Sequence, residues 1–311
     1  MDIYPLHGEA LVADRPTILI TGATDGIGYL AALELARRGA DLILTARNEA
    51  KADRTQKAIA AAAPSASIAI YYVDFTDLSA VAVTGRAIAA RHPHIDVLIN
   101  NAGLHAFRQR ITKDGFAEMI AVNYLAPWLL TDILRDTLIR SAPSRIVTVG
   151  SEASCQSRSR DITSDLFDIA PFAARGSSKI YGFSKLLDIM FSLELARQLE
   201  GSGVAVNCLC PGFNVTSLGR ELGFARPLAW ALKRLGIGNP EHGAGIIVRL
   251  ATDPVFGERT GEYVSVKGAH RLMPASPANS DEARRQLWSA TSQSVWRFRD
   301  VPSTYSSASA G

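Results

Sequence analysis

The sequence is poor in the residues that build disulfide frameworks and metal sites. Its 311 residues include only three cysteines and six histidines. Cys155, Cys208 and Cys210 are too few to staple a fold, so we interpret them as reduced. Cys208 and Cys210 lie in an apolar run that predicts a buried strand, where a thiol packs as a small apolar side chain; a redox role is the alternative. Only His92 and His94 lie close together, and no set of histidines has metal-ligand spacing.

Long apolar runs and concentrated charge are also missing. No stretch reaches the roughly 18 consecutive apolar residues of a membrane-spanning helix. The first residues, MDIYPLHGEALVADRP, have neither the basic segment nor the apolar core of a signal peptide. Lys and Arg number 33 against 30 Asp and Glu, and they form no basic face with interleaved aromatics. We therefore expect a cytoplasmic protein with no nucleic-acid partner and no membrane contact.

The overall composition is that of an ordinary globular domain. Hydrophobic residues make up 47% and charged residues 20% of the chain, whose length can bury a large core. We expect an irregular extension over residues 1–15, one main domain over residues 16–275, and a C-terminal helix with a flexible tail over residues 276–311. Apolar residues at helical spacing indicate that helix: Leu287, Thr291, Val295 and Phe298. The low-complexity residues after Pro302 predict disorder.

Strand and helix patterns alternate along most of the chain. The apolar run 17–20 is typical of a strand buried on both faces, and a helix-forming run over 29–38 ends at Gly39. Further strands are predicted at 41–46, 67–73, 95–99 and 145–149, with helices at 49–63, 77–91 and 111–139. This alternation predicts an α/β fold with a right-handed, doubly wound parallel sheet of Rossmann type. Such sheets bind ligands at the carboxyl ends of their strands.

A glycine-rich loop joins the first strand to the first helix. Its glycines follow the spacing G-x-x-x-G-x-G, which lets the backbone turn tightly and approach a pyrophosphate, while the helix start favours the anion. The candidates for cofactor binding in this loop are Gly22, Thr24, Asp25, Gly26, Ile27 and Gly28. A simple strand-to-helix turn is the alternative. Asp25 adds negative charge near the phosphates, so its alternative role is to cap the helix.

Further candidates for cofactor binding follow the next strands, at the same edge of the predicted sheet. They are Arg47, Asn48, Asp74, Phe75, Asn101, Ala102 and Gly103. An arginine forms a charged fork with a 2′-phosphate, whereas an acidic residue would bind a free ribose, so Arg47 favours NADP(H) over NAD(H). Asp74 can accept a hydrogen bond from the adenine amino group. The alternatives are a solvent-facing Arg47, a turn or helix cap at Asp74, and turn formation by the two asparagines Asn100 and Asn101.

Tyr181 and Lys185 are four residues apart in a segment that predicts a helix. That spacing places the phenol and the ammonium side by side on one face. A tyrosine normally loses its proton near pH 10. Because a nearby cation favours the phenolate, we expect the pKa of Tyr181 to fall toward the range in which a general acid or base is useful.

Four motifs together resemble the short-chain dehydrogenase/reductase family. They are TGATDGIG at 21–28, NNAG at 100–103, the Tyr181-xxx-Lys185 pair, and Pro211-Gly212 followed by Thr216. The resemblance runs from about residue 17 to about residue 268. Within the family the sequence is most similar to the retinol-dehydrogenase-like branch. The features behind that placement are the ARN after the second strand, the long insert containing Asp161-Ile-Thr-Ser-Asp-Leu166, and the tail around Trp288.

The resemblance implies catalytic roles for four residues. Asn123 would hold a water that joins the lysine to a proton relay, and Ser151 would bond the substrate carbonyl. Tyr181 would supply the proton, while Lys185 lowers its pKa and binds the nicotinamide ribose. The resemblance also places three residues beside the carboxamide and phosphates of the cofactor: Pro211, Gly212 and Thr216. Without the family, Asn123 could be a buried polar residue with a backbone partner, and Ser151 could close a turn.

Two departures from the family pattern concern the substrate side. Gly150 stands where another serine is commonest before Ser151, and the insert over residues 152–180 is longer than usual. The apolar stretch 218–236, within an expected lid over 213–240, predicts either a substrate lid or a helix packed on the core; a membrane-surface role is the minor alternative.

These features predict an enzyme that uses NADPH to reduce a ketone or aldehyde on a lipophilic small molecule, or reversibly to oxidise the alcohol. The alternative is a catalytically idle protein that senses NADP(H) and regulates a partner. Members of the family often form dimers or tetramers through their long helices. The resemblance therefore implies a homodimer or homotetramer, between which the sequence does not decide.

Overall fold

A single parallel sheet organises the chain. The computed structural model describes residues 15–157, 161–212 and 239–299. Within these residues the strands are β1 (Thr17–Ile20), β2 (Asp41–Ala46), β3 (Ile68–Tyr72), β4 (Val97–Asn100), β5 (Ser144–Val149), β6 (Val204–Cys210) and β7 (Glu262–Ser265). They pair in the order β3-β2-β1-β4-β5-β6-β7, and every pairing is parallel. The predicted doubly wound α/β fold is confirmed.

Helices cover both faces of this sheet. In chain order the described helices are α1 (Gly26–Arg37), α2 (Glu49–Ala62), α3 (Leu78–Arg91), α4 (Glu118–Ile120), α5 (Ala126–Arg140), α6 (Ile162–Leu166), α7 (Ala174–Gln198), α8 (Pro240–Thr252), α9 (Val255–Glu258) and α10 (Asp281–Arg299). A π-helix, Ala121–Leu125, joins α4 to α5, and a 3-10 helix, Glu152–Gln156, follows β5. None of these helices combines the length and the apolar character needed to span a bilayer.

The strands are buried on both faces and divide their side chains between two apolar cores. Leu19 and Leu98 pack with α3, α5, α7 and α10, whereas Ile18, Ile20 and Ile99 pack with α1, α2 and α8. Successive side chains of a strand point to opposite faces. A strand covered on both sides therefore needs apolar residues at consecutive positions, which explains the continuous apolar runs of the sequence.

The long helix predicted over 111–139 is wrong at its start. Ile111 begins a tight antiparallel turn in which Gly115 has φ +89°, a left-handed conformation that favours glycine. Helical structure starts only at Glu118 and passes through the π-helix before α5. The Asp114-Gly115 pair is strong turn chemistry, and it overrides the helical pattern on either side.

The C-terminal helix α10 packs on α5 and α7 as part of the main core. Its buried residues are Leu287, Thr291, Val295 and Phe298. Trp288 contacts the rings of Trp128 and Phe191, with centroid distances of 5.0 and 6.0 Å. The Tyr124 and Thr291 hydroxyls form a hydrogen bond of 2.6 Å. The helix predicted at the C-terminus is therefore present, but it shares its core with the sheet and does not form a separate unit.

Three predictions fall on residues outside the described part of the chain. They are most of the N-terminal extension (1–14), most of the expected lid with Thr216 (213–238), and the C-terminal tail (300–311). The last two residues of the expected lid, Asn239 and Pro240, are described, and they cap and begin α8.

Candidate active site

The four predicted catalytic residues converge at the carboxyl end of the sheet. Tyr181 and Lys185 lie one turn apart on α7, Ser151 follows β5, and Asn123 lies in the π-helix. The Ser151 hydroxyl lies close enough to the Tyr181 phenol to lower its pKa. A Cβ atom built on Gly103 would lie 3.4 Å from Asn123 Oδ1 and 3.7 Å from Lys185 Nζ. The loop after β4 thus brings Asn123 and Lys185 to the same place.

Ser151 has a structural contact as well as a place in the site. Its Oγ accepts a hydrogen bond of 3.1 Å from the backbone N–H of Ala153, and so caps the 3-10 helix Glu152–Gln156. The turn-closing role that the sequence left open is therefore real. It is compatible with a role toward a substrate because a hydroxyl oxygen can take part in more than one hydrogen bond.

The Tyr181 phenol is harder to ionise than the sequence predicts. Burial raises its pKa, and this outweighs the lowering by the Lys185 charge and by the Ser151 hydroxyl. The Asp188 carboxylate raises the pKa further. The expected fall of the Tyr181 pKa is thus wrong, because Lys185 acts on the phenol against desolvation and against a second charge.

Asp188 is the residue that sequence reasoning missed. Lys185 Nζ donates to Asp188 Oδ2 at 2.8 Å and to the backbone carbonyl of Val149 at 2.8 Å. Burial lowers the Lys185 pKa, but the Asp188 charge, the Tyr181 phenol and the hydrogen bond to Asp188 together more than offset this, and the net pKa is raised. Burial raises the pKa of Asp188 to about 6 against the lowering by Lys185, so the pair is ionised at neutral pH. The i, i+3 spacing on one helix is the sequence feature that could have indicated this pair.

Asn123 ties the π-helix to the loop after β4. Its Oδ1 accepts from the backbone N–H of Leu104 at 2.8 Å, and its Nδ2 donates to the Leu104 carbonyl and to Ser184 Oγ, both at 2.9 Å. The side-chain amide is thus committed to protein partners. A π-turn interrupts the regular α-helical ladder, and such turns are frequent at functional sites. The water that Asn123 would hold stays a prediction.

The glycine loop has the backbone conformation that a phosphate site needs. Gly22 has φ +66° and Gly26 has φ +57°, both in the left-handed region. The N-terminus of α1 follows at once, so backbone N–H groups and the helix dipole face the crevice. Asp25 caps α1 by accepting from the Gly26 N–H at 2.8 Å, and its second oxygen pairs with Lys51 Nζ at 2.6 Å. The capping alternative is therefore the role that the geometry gives Asp25.

The NNAG motif shapes the glycine loop. Asn101 Nδ2 donates to the carbonyls of Thr21 and Gly22, at 2.8 and 3.2 Å. A Cβ atom on Gly28 would lie 2.3 Å from Asn101 Nδ2, and one on Gly22 would lie 2.8 Å from Ala102 Cα. These glycines are therefore required for close packing between the two motifs, and Ile27 and Thr24 lie partly exposed beside them.

The residues after β2 and β3 divide into exposed and structural ones. Arg47 is exposed at the end of β2, where a 2′-phosphate could reach it. Asn48 caps α2 by accepting from the backbone N–H three residues on. Asp74 Oδ1 accepts from both the N–H and the hydroxyl of Thr76, each at 2.9 Å, which is the turn that the sequence left open. The Phe75 side chain is buried in the core, and a cofactor contact by its backbone stays a prediction.

Gly212 follows β6 in a left-handed conformation, with φ +70°. A Cβ atom there would lie 2.9 Å from Val266 Cγ1, so a side chain would collide with the segment after β7. Pro211 precedes it, partly exposed at the carboxyl end of the sheet. These two residues lie at the predicted edge, whereas Thr216 is outside the described residues.

Two glycines permit close packing at the two ends of the long insert. A Cβ atom on Gly150 would lie 2.9 Å from Cys208 Sγ and 3.1 Å from the Leu209 carbonyl, which leaves no room for the serine common in the family. A Cβ atom on Gly182 would lie 2.4 Å from the Ala153 carbonyl oxygen. Close contact of α7 with the 3-10 helix therefore depends on glycine beside Tyr181.

An aromatic stack that the sequence analysis did not predict lies against the phenol. The His105 ring stacks on Tyr181 at a centroid distance of 4.7 Å and on Phe107 at 4.6 Å. His105 Nε2 lies 3.2 Å from Ser177 Oγ. Both aromatic residues follow directly on the NNAG motif, which is the signal that could have identified them. They form a flat, largely apolar wall beside the catalytic phenol.

The site fits a nicotinamide dinucleotide. The left-handed glycines, the start of α1 and the reversal of strand order between β1 and β4 form the crevice in which such cofactors bind. Arg47 adds positive charge at the end of β2, and Lys51 is paired with Asp25 of the glycine loop. Lys185 lies at the other end, beside Tyr181. The donor set therefore suits phosphates at one end and a ribose at the other.

Comparison with known proteins agrees with this geometry. The short chain dehydrogenase family profile matches residues 16–162. Human retinol dehydrogenase 13 is 34% identical over 289 residues, which cover 90% of this chain and 84% of that protein. Human retinol dehydrogenase 14 is also 34% identical, over 303 residues, and covers 91% of this chain and 85% of that protein.

Solved structures share the fold. An uncharacterised protein from Mycobacterium paratuberculosis has a TM-score of 0.71 and 27% identity, covering 90% of this chain and 93% of that one. A protein described as an NAD(P) dependent gluconate 5-dehydrogenase from Beutenbergia cavernae, with bound NADP at low occupancy, has a TM-score of 0.61 and 27% identity, covering 81% and 94%. The chain belongs to the short-chain dehydrogenase/reductase family, in its retinol-dehydrogenase-like branch, and is an oxidoreductase of alcohols and carbonyl compounds.

Proposed function

We propose that this protein reduces a ketone or aldehyde group on a lipophilic small molecule with NADPH, and that it catalyses the reverse oxidation of the alcohol. The observation that carries the proposal is the convergence of Tyr181, Ser151 and Lys185 at the carboxyl end of the sheet, where the Lys185 charge and the Ser151 hydroxyl both lower the pKa of the phenol. No other arrangement among the described residues joins a proton donor, a hydroxyl and a cation at the glycine-lined crevice. The convergence of these groups gives no support to a catalytically idle protein.

The chain's own residues orient the carbonyl and supply the proton. When bound, the nicotinamide supplies the hydride. The Ser151 hydroxyl donates a hydrogen bond to the carbonyl oxygen and holds it against Tyr181. The phenol transfers its proton to that oxygen, and the Lys185 ammonium stabilises the phenolate that remains. A raised Tyr181 pKa suits this direction because it keeps the phenol protonated at neutral pH.

Positive charge near the adenosine end supports NADP(H) as the cofactor. Arg47 is exposed at the end of β2, and Lys51 lies one turn into α2, paired with Asp25. An arginine forms strong bidentate bonds with a phosphate group. The Beutenbergia cavernae structure, which holds NADP, supports the same choice.

The wall formed by His105 and Phe107 supports a lipophilic substrate. Stacked rings beside the phenol present apolar area to a flat or extended molecule. Relatives named as retinol dehydrogenases support a substrate of that class. A cytoplasmic location and a homodimeric or homotetrameric state stay predictions, for cell fractionation and light scattering to test.

The test is NADPH consumption by Tyr181→Phe across a panel of ketones and aldehydes that includes retinaldehyde. The substitution removes only the hydroxyl, so we expect turnover to fall at least about a hundredfold, the usual contribution of a general acid, while NADPH binding measured by fluorescence is retained. Tyr72→Phe is the matched control because Tyr72 is exposed on β3, four strands away from β5, which precedes Ser151. Turnover of Tyr181→Phe within about tenfold of wild type would refute the assignment.

A further inference from the structure

Asp188 is a buried carboxylate with an incomplete set of partners. Its side chain is 2% exposed and that of Lys185 is 6% exposed. Oδ2 accepts from Lys185 Nζ at 2.8 Å, whereas Oδ1 has no hydrogen-bond partner among the described residues. Leaving a carboxylate oxygen unpaired in the interior costs free energy. Because this unpaired oxygen costs stability, the presence of Asp188 in the interior indicates a role in the chemistry of the neighbouring residues.

The net charge of Tyr181, Lys185 and Asp188 indicates that role. Lys185 and Asp188 are buried on α7, and the partly exposed Tyr181 lies one turn before Lys185 on the same helix. With the phenol protonated and the other two groups ionised, the cluster is neutral. Removing the phenol proton then leaves a net negative charge in a low dielectric, which is unfavourable. If position 188 were uncharged, the phenolate and the ammonium would instead form a neutral pair.

We propose that Asp188 is a positioning residue that divides the charge of Lys185 between itself and Tyr181, and so keeps Tyr181 protonated at neutral pH. In this form the phenol can give a proton to a carbonyl oxygen, so the inference rests on the proposed function of Tyr181. The ammonium is held toward β5 by its second bond, to the Val149 carbonyl. The active-site set thus extends one turn further along α7, to a residue that touches neither substrate nor cofactor.

The other titratable groups that face Asp188 are uncharged at neutral pH. On β6, burial raises the pKa of the Cys208 thiol, which faces Asp188, and also that of the Cys210 thiol, which acts on Tyr181. On the π-helix, burial raises the pKa of the Tyr124 phenol. Lys185 is therefore the cation that Asp188 acts on within the described residues. Because burial raises the Asp188 pKa to about 6, its charge is present at pH 7 and is lost at mildly acidic pH.

The decisive experiment measures the ionisation of Tyr181 directly, in Asp188→Asn without substrate or cofactor. An asparagine keeps the shape of the side chain and can still accept from Lys185, but it carries no charge. We expect the Tyr181 pKa to fall by about one unit or more, a tenfold change in its ionisation constant. The probe is the NMR shift of the isotope-labelled ring carbon that bears the hydroxyl, and the signal of Tyr181 is identified by its loss in Tyr181→Phe.

Glu194→Gln is the matched control. Glu194 lies on the same helix, its side chain is also 2% exposed, and it pairs with Arg197 at the same i, i+3 spacing. Its removal breaks an equivalent ion pair without changing the charge beside Lys185. We expect the Tyr181 titration to be unchanged in this variant.

Activity gives a second readout. Reduction of a carbonyl needs the protonated phenol, so the alkaline limb of its pH profile should move down by the same unit or so in Asp188→Asn. Oxidation of the alcohol needs the phenolate, so at neutral pH it should gain about tenfold relative to reduction. If the NMR titration shifts while turnover survives in Tyr181→Phe, the inference about Asp188 stands and the proposed function fails.

An unchanged Tyr181 titration in folded Asp188→Asn overturns the inference, and so does an equal shift in Glu194→Gln. If Asp188→Asn does not fold, the wild-type protein supplies the test. Its Tyr181 signal should show a step centred near pH 6, where Asp188 gains its proton. A Tyr181 signal that stays flat there also overturns the inference.

Discussion

The substitution Gly28→Ala tests whether the NNAG motif and the glycine loop form one unit. Gly28 lies in the first turn of α1, where alanine is the better helix former. Its added Cβ atom would lie 2.3 Å from Asn101 Nδ2 and 2.7 Å from the Gly22 carbonyl oxygen. Both distances are shorter than any normal contact. Asn101 or the loop backbone must therefore move.

The expected cost follows from these contacts. Moving Asn101 breaks its bonds to the Thr21 and Gly22 carbonyls, at about 1 kcal/mol each. Overpacking against the loop backbone adds about 1–3 kcal/mol. The higher helix propensity of alanine stabilises α1 by about 0.5–1 kcal/mol. We expect a net loss of about 2–4 kcal/mol, which lowers Tm by about 3–6 °C for a chain of this size.

Gly245→Ala provides a control of opposite sign. Gly245 lies on the exposed face of α8, and a Cβ atom there meets nothing within 4 Å. The same chemical change should raise stability by about 0.5–1 kcal/mol. Thermal unfolding of both variants and titration with NADPH check the comparison. A Gly28→Ala protein as stable as Gly245→Ala, with unchanged NADPH affinity, would show that the packing argument is wrong.

Three further predictions concern the cofactor, a glycine and a buried acid. Arg47→Ala should weaken NADP(H) binding about ten- to a hundredfold with little effect on NAD(H), because charge-assisted bonds to a phosphate contribute about 1.5–3 kcal/mol. Titrations with Arg54→Ala, exposed on α2, are the control, and equal losses for both cofactors would contradict the prediction. Gly150→Ser should destabilise by about 1–3 kcal/mol through contact with Cys208, and Cys208→Ala should recover part of this in urea unfolding. Burial raises the Asp188 pKa to about 6, so between about pH 4 and 6 the folded state holds a proton that the unfolded state releases. The free energy of unfolding should therefore fall by up to about 3 kcal/mol over this range. The free energy of unfolding of Asp188→Asn should lack this pH dependence.

The fold could be predicted because each strand is a short apolar run between polar or glycine-rich segments. β1 and β4 are buried on both faces, so their sequences are continuously apolar and easily recognised. The start of the helix before α5 could not be placed by periodicity alone, because a local Asp-Gly turn interrupts it. Short-range turn chemistry there outweighs the helical pattern.

Site residues could be predicted where a motif fixes the backbone conformation. They were predicted less well where burial determines the direction or the pKa of a side chain. Asp74 and Phe75 are neighbours, but in extended chain adjacent side chains point to opposite faces, and Phe75 points into the core. The four-residue spacing correctly predicts that the Lys185 charge lowers the Tyr181 pKa. It does not predict the desolvation that raises this pKa overall, since desolvation depends on residues brought together only by the fold.

The position of α10 bears on how copies of this chain can associate. The family resemblance implies pairing through the helices that contain Asn123 and Tyr181, yet here α10 lies on α5 and α7 and buries Leu287, Val295 and Phe298 against them. Exposing three such side chains costs about 1.5–3 kcal/mol each. A partner using this face would first have to displace α10 and offset that cost. A homodimer or homotetramer of this protein should therefore assemble through another surface, and α10 should remain packed within its own chain.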